Sequence, residues 1–225
     1  MCGYVGRKFN LAQQDIPYWR EYADLLRQPG GQYYQRHRVN HLVIWRNGKA
    51  VYTDALWWYA LKRENDQLVL NPKVTSFNAR NLDSPLWRSA IRARRGVLFA
   101  SEIGESQGKA RYLMQSQTLF ALGCVYQQWQ QAGATVYSFA LITRDPHPRF
   151  SRYHDKSMPL FLPNNPEFLD HWLDPTVEQS PQISAVLEQP KLRVTFDVLP
   201  VKTYKRAEPL GQIELLQADD LPSEN

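Results

Sequence analysis

Asn47-Gly48 stands between two β-rich runs, Leu42-Val43-Ile44-Trp45 and Ala50-Val51-Tyr52. An Asn-Gly pair so flanked is the strongest short-range hairpin signal a sequence carries, because the tight turn that matches strand twist needs positive φ at both central residues. This commits part of the chain to antiparallel pairing. The texture continues beyond it: residues 96–100, 111–115, 119–126, 135–143 and 192–198 also read as strands. Helices are expected only at intervals. One is predicted over residues 15–26, where Ile16, Trp19, Tyr22, Ala23 and Leu26 share a face, Pro17 sits early and Pro29-Gly30-Gly31 ends the run. Ser84-Pro85, Asn165-Pro166 and Ser180-Pro181 each place a capping residue before a proline, which is how a helix starts. The latter two precede the apolar sets Phe168, Leu169, Trp172, Leu173 and Ile183, Val186, Leu187. Strands mostly following strands, with peripheral helices, predict the α+β class with a mainly antiparallel sheet.

The 225 residues suffice for a sizeable core. With no internal repeat and no linker-like stretch, a single domain over residues 1–217 is expected. Residues 218–225 form an acidic tail expected to be disordered. No apolar run approaches the roughly 20 residues of a membrane helix. The first eight residues hold no apolar h-region, so neither a signal peptide nor a membrane partner is expected. Two cysteines far apart in sequence fit a cytoplasmic location. A formal charge of +5 and a pI near 9.2 favour acidic partners, nucleic acid among them. Basic residues gather at Arg36-His37-Arg38, Lys62-Arg63 and Arg92-Ala93-Arg94-Arg95.

The residue with most chemistry to offer is Cys2. Its side chain is small enough for methionine aminopeptidase to remove Met1, which would put an α-amine and a thiol on adjacent carbons of one residue. Such groups titrate near ~8 and ~8.5, far below the ~10.4 of an ordinary lysine, so both are partly active at neutral pH. An aldehyde meeting the pair can form a Schiff base with the amine and then a five-membered thiazolidine with the thiol, a closure that proximity favours. Three other polar residues could serve it. Asn78 lies in Phe77-Asn78-Ala79-Arg80, Glu105 in Ser101-Glu102-Ile103-Gly104-Glu105 just past an expected strand end, and His154 in Tyr153-His154-Asp155-Lys156-Ser157-Met158-Pro159. Singly, each has a plain structural reading: a turn residue, a solvated loop charge, a surface histidine. Cys124, alternating within the apolar Ala121-Leu122-Gly123-Cys124-Val125, is expected in the core. Metal-ligand spacings, glycine-rich phosphate loops and Gly-x-Ser-x-Gly elbows do not occur, so no metal or cofactor is expected.

Together these pieces resemble the SRAP (SOS-response-associated peptidase) family, in order and over nearly the whole chain. Met1-Cys2-Gly3 is similar to the family's opening and Asn78-Ala79-Arg80 to its Asn-Ala-Arg motif, followed by Pro85-Leu86-Trp87. Val97-Leu98-Phe99-Ala100 with Glu105 resembles the strand leading to its glutamate. Thr143 and His154-Asp155-Lys156-Ser157-Met158-Pro159 resemble its Thr and His-Asp-x-Met-Pro block. Departures mark a diverged member. Tyr4 stands where the family has arginine, Trp57-Trp58 replaces Trp-Gly, Lys62-Arg63-Glu64 replaces following tryptophans, Gly104 and Ser106 replace aromatics beside the glutamate, and the His-Asp block has one extra residue.

The resemblance implies an antiparallel open barrel and covalent trapping of abasic sites in single-stranded DNA. It implies that Cys2 attacks the sugar aldehyde at C1′, Asn78 positions the N-terminal residue or the sugar, Glu105 shuttles protons and His154 assists ring opening. Arg80 and Lys156 are implied phosphate contacts, with Lys62 and Arg63 as local substitutes for lost ones. Weak lyase activity by β-elimination, a monomeric state and association with the nucleoid belong to the same expectation. The family's peptidase name would fit removal of its own Met1, which aminopeptidase processing explains equally. Two other readings stay open on sequence: an N-terminal-nucleophile amidotransferase, which also begins Met-Cys-Gly, and a non-catalytic DNA-binding module of the same fold.

Overall fold

The computed structural model describes residues 2–7, 30–33, 39–178 and 180–219. The helix predicted over 15–26 and the basic run Arg36-His37-Arg38 lie outside the described residues. The Asn47-Gly48 hairpin is present, between strands β3 (Val39–Arg46) and β4 (Lys49–Leu56), following the shorter β1 (Tyr4–Arg7) and β2 (Gly30–Tyr33). Asn47 and Gly48 have φ of 55° and 77°, the left-handed pair a two-residue hairpin turn requires. Next come a small separate hairpin, β5 (Leu61–Glu64) with β6 (Gln67–Leu70), and the two-residue β7 (Asn78–Ala79).

The frame is a long hairpin, β8 (Arg95–Gln107) and β9 (Ala110–Gln131), continued by β10 (Ala134–Arg144). The two runs expected at 111–115 and 119–126 are therefore one strand. Opposite Ser101, residues 116–119 of β9 have no partner in the register, which jumps from Ala100↔Phe120 to Glu102↔Gln115. Extra residues on one strand bend the pair and increase its twist, and the bend divides the sheet into two regions. On one side, β8, β9, β10, β4 and β3 close a ring, sealed by parallel pairing of β10 with β4 at Tyr137↔Ala55. On the other, the outer half of β8 receives β1 and the outer half of β9 receives β12 (Phe196–Pro200), on which β13 (Glu214–Leu216) pairs. The fold is thus α+β and mostly strand, a twisted sheet that is partly ring-like.

Among the described residues, three helices cover the outside of the ring: α1 (Arg88–Ala93), α2 (Pro166–Leu173) and α3 (Pro181–Glu188). The last two begin as expected, Asn165 and Ser180 accepting from the backbone N–H groups of Phe168 and Ile183. The first starts later than expected, at Arg88, after a turn in which the Ser84 carbonyl accepts from Trp87 and Arg88. Trp172 and Leu173 pack with Val97, Ala121 and Ile142 of the sheet. A Cβ on Gly123 would lie 2.9 Å from the Leu160 side chain, so that close approach needs glycine. Of the acidic tail, Ala218 and Asp219 are described. The Asp219 carboxylate accepts from the Leu192 N–H at 2.8 Å and pairs with Arg149.

Arg95 fixes the helices to the ring. The residue is 1% exposed, and its guanidinium donates to the carbonyls of Trp172 (2.5 Å), Ile91 (3.0 Å), Arg92 (2.7 Å), Glu178 (2.9 Å), Asp174 (2.8 Å) and Val177. Ile91 and Arg92 lie in the last turn of α1, and Trp172 and Asp174 at the end of α2, where carbonyls lack helical partners; Val177 and Glu178 lie in the segment after α2. Burial lowers its pKa only to about 10, so it stays charged at neutral pH. Arg95→Met, which keeps the apolar stem and strands those carbonyls, is expected to lower unfolding free energy by ~3 kcal/mol or more, read from urea midpoints.

Candidate active site

The site forms where β1 meets the outer half of β8. Their register, Tyr4↔Gly104, Val5↔Ile103 and Gly6↔Glu102, carried two residues further, brings Cys2 level with Ser106. Cys2 is fully buried and its thiol donates to the Tyr4 carbonyl at 3.5 Å. The Cys2 carbonyl accepts from Asn78 Nδ2 at 3.0 Å. Asn78 is itself fixed, since β7 pairs in parallel with β10 at Leu141↔Asn78. The preceding Phe77 carbonyl accepts from Leu141 N–H at 3.0 Å and from Trp57 Nε1 at 2.8 Å. With Nδ2 committed, Asn78 keeps a buried Oδ1 that accepts no hydrogen bond among the described residues.

Glu105 lies inside β8, not beyond its end. It is paired with Tyr112 of β9 and 1% exposed. Burial pushes its carboxyl up to about 7, opposed by the positive charge of the amino terminus and by a hydrogen bond from the Cys2 thiol. The Cys2 thiol is raised well above the ordinary range, first by burial and then by the negative charge of Glu105. Near neutral pH the pair is therefore a protonated thiol beside a carboxyl poised between its two states, the arrangement that proton transfer needs.

His154 is buried as well, in the turns that follow Phe150, and its Nδ1 lies 2.8 Å from the carbonyl of Ser106, next to Glu105. A carbonyl only accepts, so Nδ1 carries the proton and Nε2 is the basic nitrogen. Burial lowers its pKa, more than the Ser106 bond raises it, and the amino-terminal charge lowers it further. The ring is neutral at pH 7. Cys2, Glu105 and His154 each feel the charge of the amino terminus. The surface readings of Glu105 and His154 are thus replaced by buried placements around the chain's start.

Arg80 and Lys156 border this cluster, both exposed. The Arg80 guanidinium donates to the Lys156 carbonyl and, at 2.6 Å, to Asp145 Oδ1, while Arg144 Nη1 donates to the Arg80 carbonyl at 3.5 Å. Lys62 and Arg63 lie elsewhere. Lys62 pairs with Glu64, and Arg63 donates to the carbonyl of Gln130. Gln130 pairs with Thr135, six residues before the Leu141 that pairs with Asn78, a separation of roughly 20 Å along β10. Cys124, on the ring portion of β9, is fully buried in the core. Among the described residues no three His, Cys, Asp or Glu side chains gather as metal ligands do, and no helix is long and apolar enough to cross a membrane.

The sequence reading missed the contacts behind the cluster. Tyr4 Oη donates to Glu102 Oε1 at 2.8 Å, and Gln115 Nε2 to Glu102 Oε2 at 3.0 Å. Tyr204 Oη donates to the Glu105 carbonyl at 2.7 Å. The one signal that pointed there is the pair of glycines, Gly6 and Gly104, each facing a large side chain across the β1–β8 register.

The family profile described as "SOS response associated peptidase (SRAP)" matches residues 1–204. Among solved structures, a protein from Bacteroides thetaiotaomicron superposes with a TM-score of 0.61 at 16% identity, covering 90% of this chain and 93% of that one. A phage-related protein from Bordetella bronchiseptica does so with 0.58 at 17% identity, covering 90% and 95%. At such identities the likeness is one of fold. No curated protein matches the chain.

Proposed function

Because the chain belongs to the SRAP family, whose name ties it to the SOS response, we propose that it captures abasic sites in single-stranded DNA covalently through Cys2 once Met1 is removed. The observation carrying this reading is the buried Glu105 carboxyl against the Cys2 thiol, with Asn78 fastened to the Cys2 carbonyl.

In this mechanism the neutral His154 takes the C1′ hydroxyl proton through Nε2 and returns it to the ring oxygen O4′ as the C1′–O4′ bond breaks, which leaves the aldehyde and a C4′ hydroxyl. The Cys2 α-amine, on the residue whose carbonyl Asn78 holds, adds to the aldehyde carbon. Loss of water leaves a Schiff base. The thiol sulfur then bonds to C1′, and its proton passes through Glu105 to the nitrogen, closing the thiazolidine. β-Elimination from the Schiff base competes with closure and gives a weaker lyase activity. Because Cys2 Sγ already lies against the base, closure is the faster branch.

Arg80 and Lys156 contact the phosphates. Lys62 and Arg63, at the other end of β10, belong at most to a longer DNA track. Since Asp145 occupies the Arg80 guanidinium, Asp145→Asn is expected to tighten binding several-fold at low salt. Arg80→Ala is expected to weaken binding and flatten the log–log salt dependence by about 0.7, the share of one phosphate contact on a single strand. Fluorescence anisotropy between 50 and 200 mM salt reads both.

The reading is tested by incubating the protein with uracil-glycosylase-treated single-stranded DNA and running a denaturing gel. A heat-stable shifted band that needs both the abasic site and Cys2 supports it. Binding without such a band would leave a DNA-binding module of the same fold, and glutamine hydrolysis without it would leave an amidotransferase.

A further inference from the structure

We propose that Tyr204 is a positioning residue for the N-terminal nucleophile, clamping from the C-terminal segment the two strands that carry Cys2 and Glu105. Its catalytic part rests on the capture reading above. Its structural part does not.

A nucleophile two residues ahead of a four-residue terminal strand is badly placed for precise chemistry. Chain ends fray unless tied down, and reacting groups need placement to within about 0.5 Å. The β1–β8 pair carries a specific remedy. Across the register, Tyr4 faces Gly104 and Gly6 faces Glu102, so each pair sets one large side chain against none. The Glu102 carboxylate lies over Gly6, where a Cβ would fall on it, and holds the Tyr4 hydroxyl. The Tyr204 ring lies over Gly104, where a Cβ would stand 2.9 Å from it. It stacks on Tyr4 at 5.3 Å between centroids, while Tyr33 meets Tyr4 edge-on at 5.1 Å. One residue thus grips both strands: its face packs on β1 through Tyr4, and its hydroxyl holds the Glu105 carbonyl on β8.

The loop presenting Tyr204 is built to hold still. Val201 bridges Pro209, Lys202 N–H donates to the Glu208 carbonyl at 3.0 Å, and Arg111 donates to the Lys202 carbonyl at 2.9 Å. The Tyr204 hydroxyl is also close enough to Glu105 and Cys2 for their charges to raise its pKa, after burial.

The two cysteines supply an internal comparison, both fully buried, Cys2 beside the clamp and Cys124 in the ring. The full chain is treated with iodoacetamide without DNA, and each thiol is followed by peptide mass spectrometry. In Tyr204→Ala, Cys2 alkylation is expected to rise roughly tenfold or more while Cys124 stays slow, because only local opening is made easier. Tyr204→Phe, which keeps the stack and loses the bond to Glu105, should fall between. Gly104→Ala, which pushes the ring off without removing it, should follow Tyr204→Ala. In each variant the capture rate at saturating abasic DNA falls while the half-saturating DNA concentration holds. A parallel rise of both thiols, or of neither, overturns the clamp. A selective rise in a protein that captures no abasic DNA keeps the clamp and ends the capture reading.

Discussion

Cys2→Ser is expected to abolish the heat-stable DNA adduct while leaving DNA affinity and the fold unchanged. The serine hydroxyl can still donate to the Tyr4 carbonyl that the thiol meets at 3.5 Å, so the buried corner stays satisfied. What disappears is the sulfur that closes the ring. The α-amine of serine can still form a Schiff base, and that intermediate hydrolyses on heating unless reduced. The variant should therefore give no band after boiling and a band when borohydride is present. Intramolecular closure is worth an effective molarity of roughly 10⁵–10⁸ M, so free thiols added to the buffer will not restore the loss. A heat-stable band in Cys2→Ser without reductant would mean that the linkage is not a thiazolidine.

Glu105→Gln should move rate and stability in opposite directions. As the proton shuttle, the carboxyl contributes ~10²–10⁴-fold, and the glutamine variant should lose capture rate by that factor, together with any bend of the pH–rate profile near 7. For stability the sign follows from the direction of the shift. The folded carboxyl is pushed up from 4.5 to about 7 by burial, so the unfolded chain releases this proton at lower pH than the folded one. Below 4.5 both states hold the proton and the group costs nothing. Between 4.5 and 7 folding stability is lost progressively as pH rises, reaching ~3 kcal/mol at about 1.36 kcal/mol per unit, and above 7 the loss is constant. Glu105→Gln should thus match the parent near pH 4 and exceed it by ~3 kcal/mol at pH 8. Urea unfolding at the two pH values reads this. Parallel curves would mean that Glu105 is not held in a dry site.

The fold was legible wherever a local rule sufficed. The Asn47-Gly48 turn, the Asn165 and Ser180 caps and the alternation around Cys124 needed only neighbours in sequence. What escaped depends on partners far along the chain. Gly104-Glu105-Ser106 looks like the loop after a strand because a strand-interior carboxylate has no local justification. The strand continues because β1 pairs on one side of this stretch and β9 on the other. Closure of the ring by parallel pairing of β10 with β4 joins residues some eighty positions apart and leaves no pattern in either strand. Of the candidate site, Cys2, Asn78, Glu105 and His154 were named from motif order and stand together around the chain's start. Lys62 and Arg63 were read as local substitutes for lost family contacts, and their charge does not say where along a sheet a hairpin will lie. Tyr204 carried no signal at all, since a tyrosine among Lys202, Thr203 and Lys205 becomes informative only once Gly104 is seen beneath it.

Mass spectrometry of the purified adduct tests the central claim most directly. Thiazolidine capture predicts a species equal to the chain without Met1 plus the abasic oligonucleotide minus one water, with the tryptic attachment confined to the peptide Cys2-Gly3-Tyr4-Val5-Gly6-Arg7. An adduct that retains Met1, or one mapped to a lysine elsewhere in the chain, would contradict it.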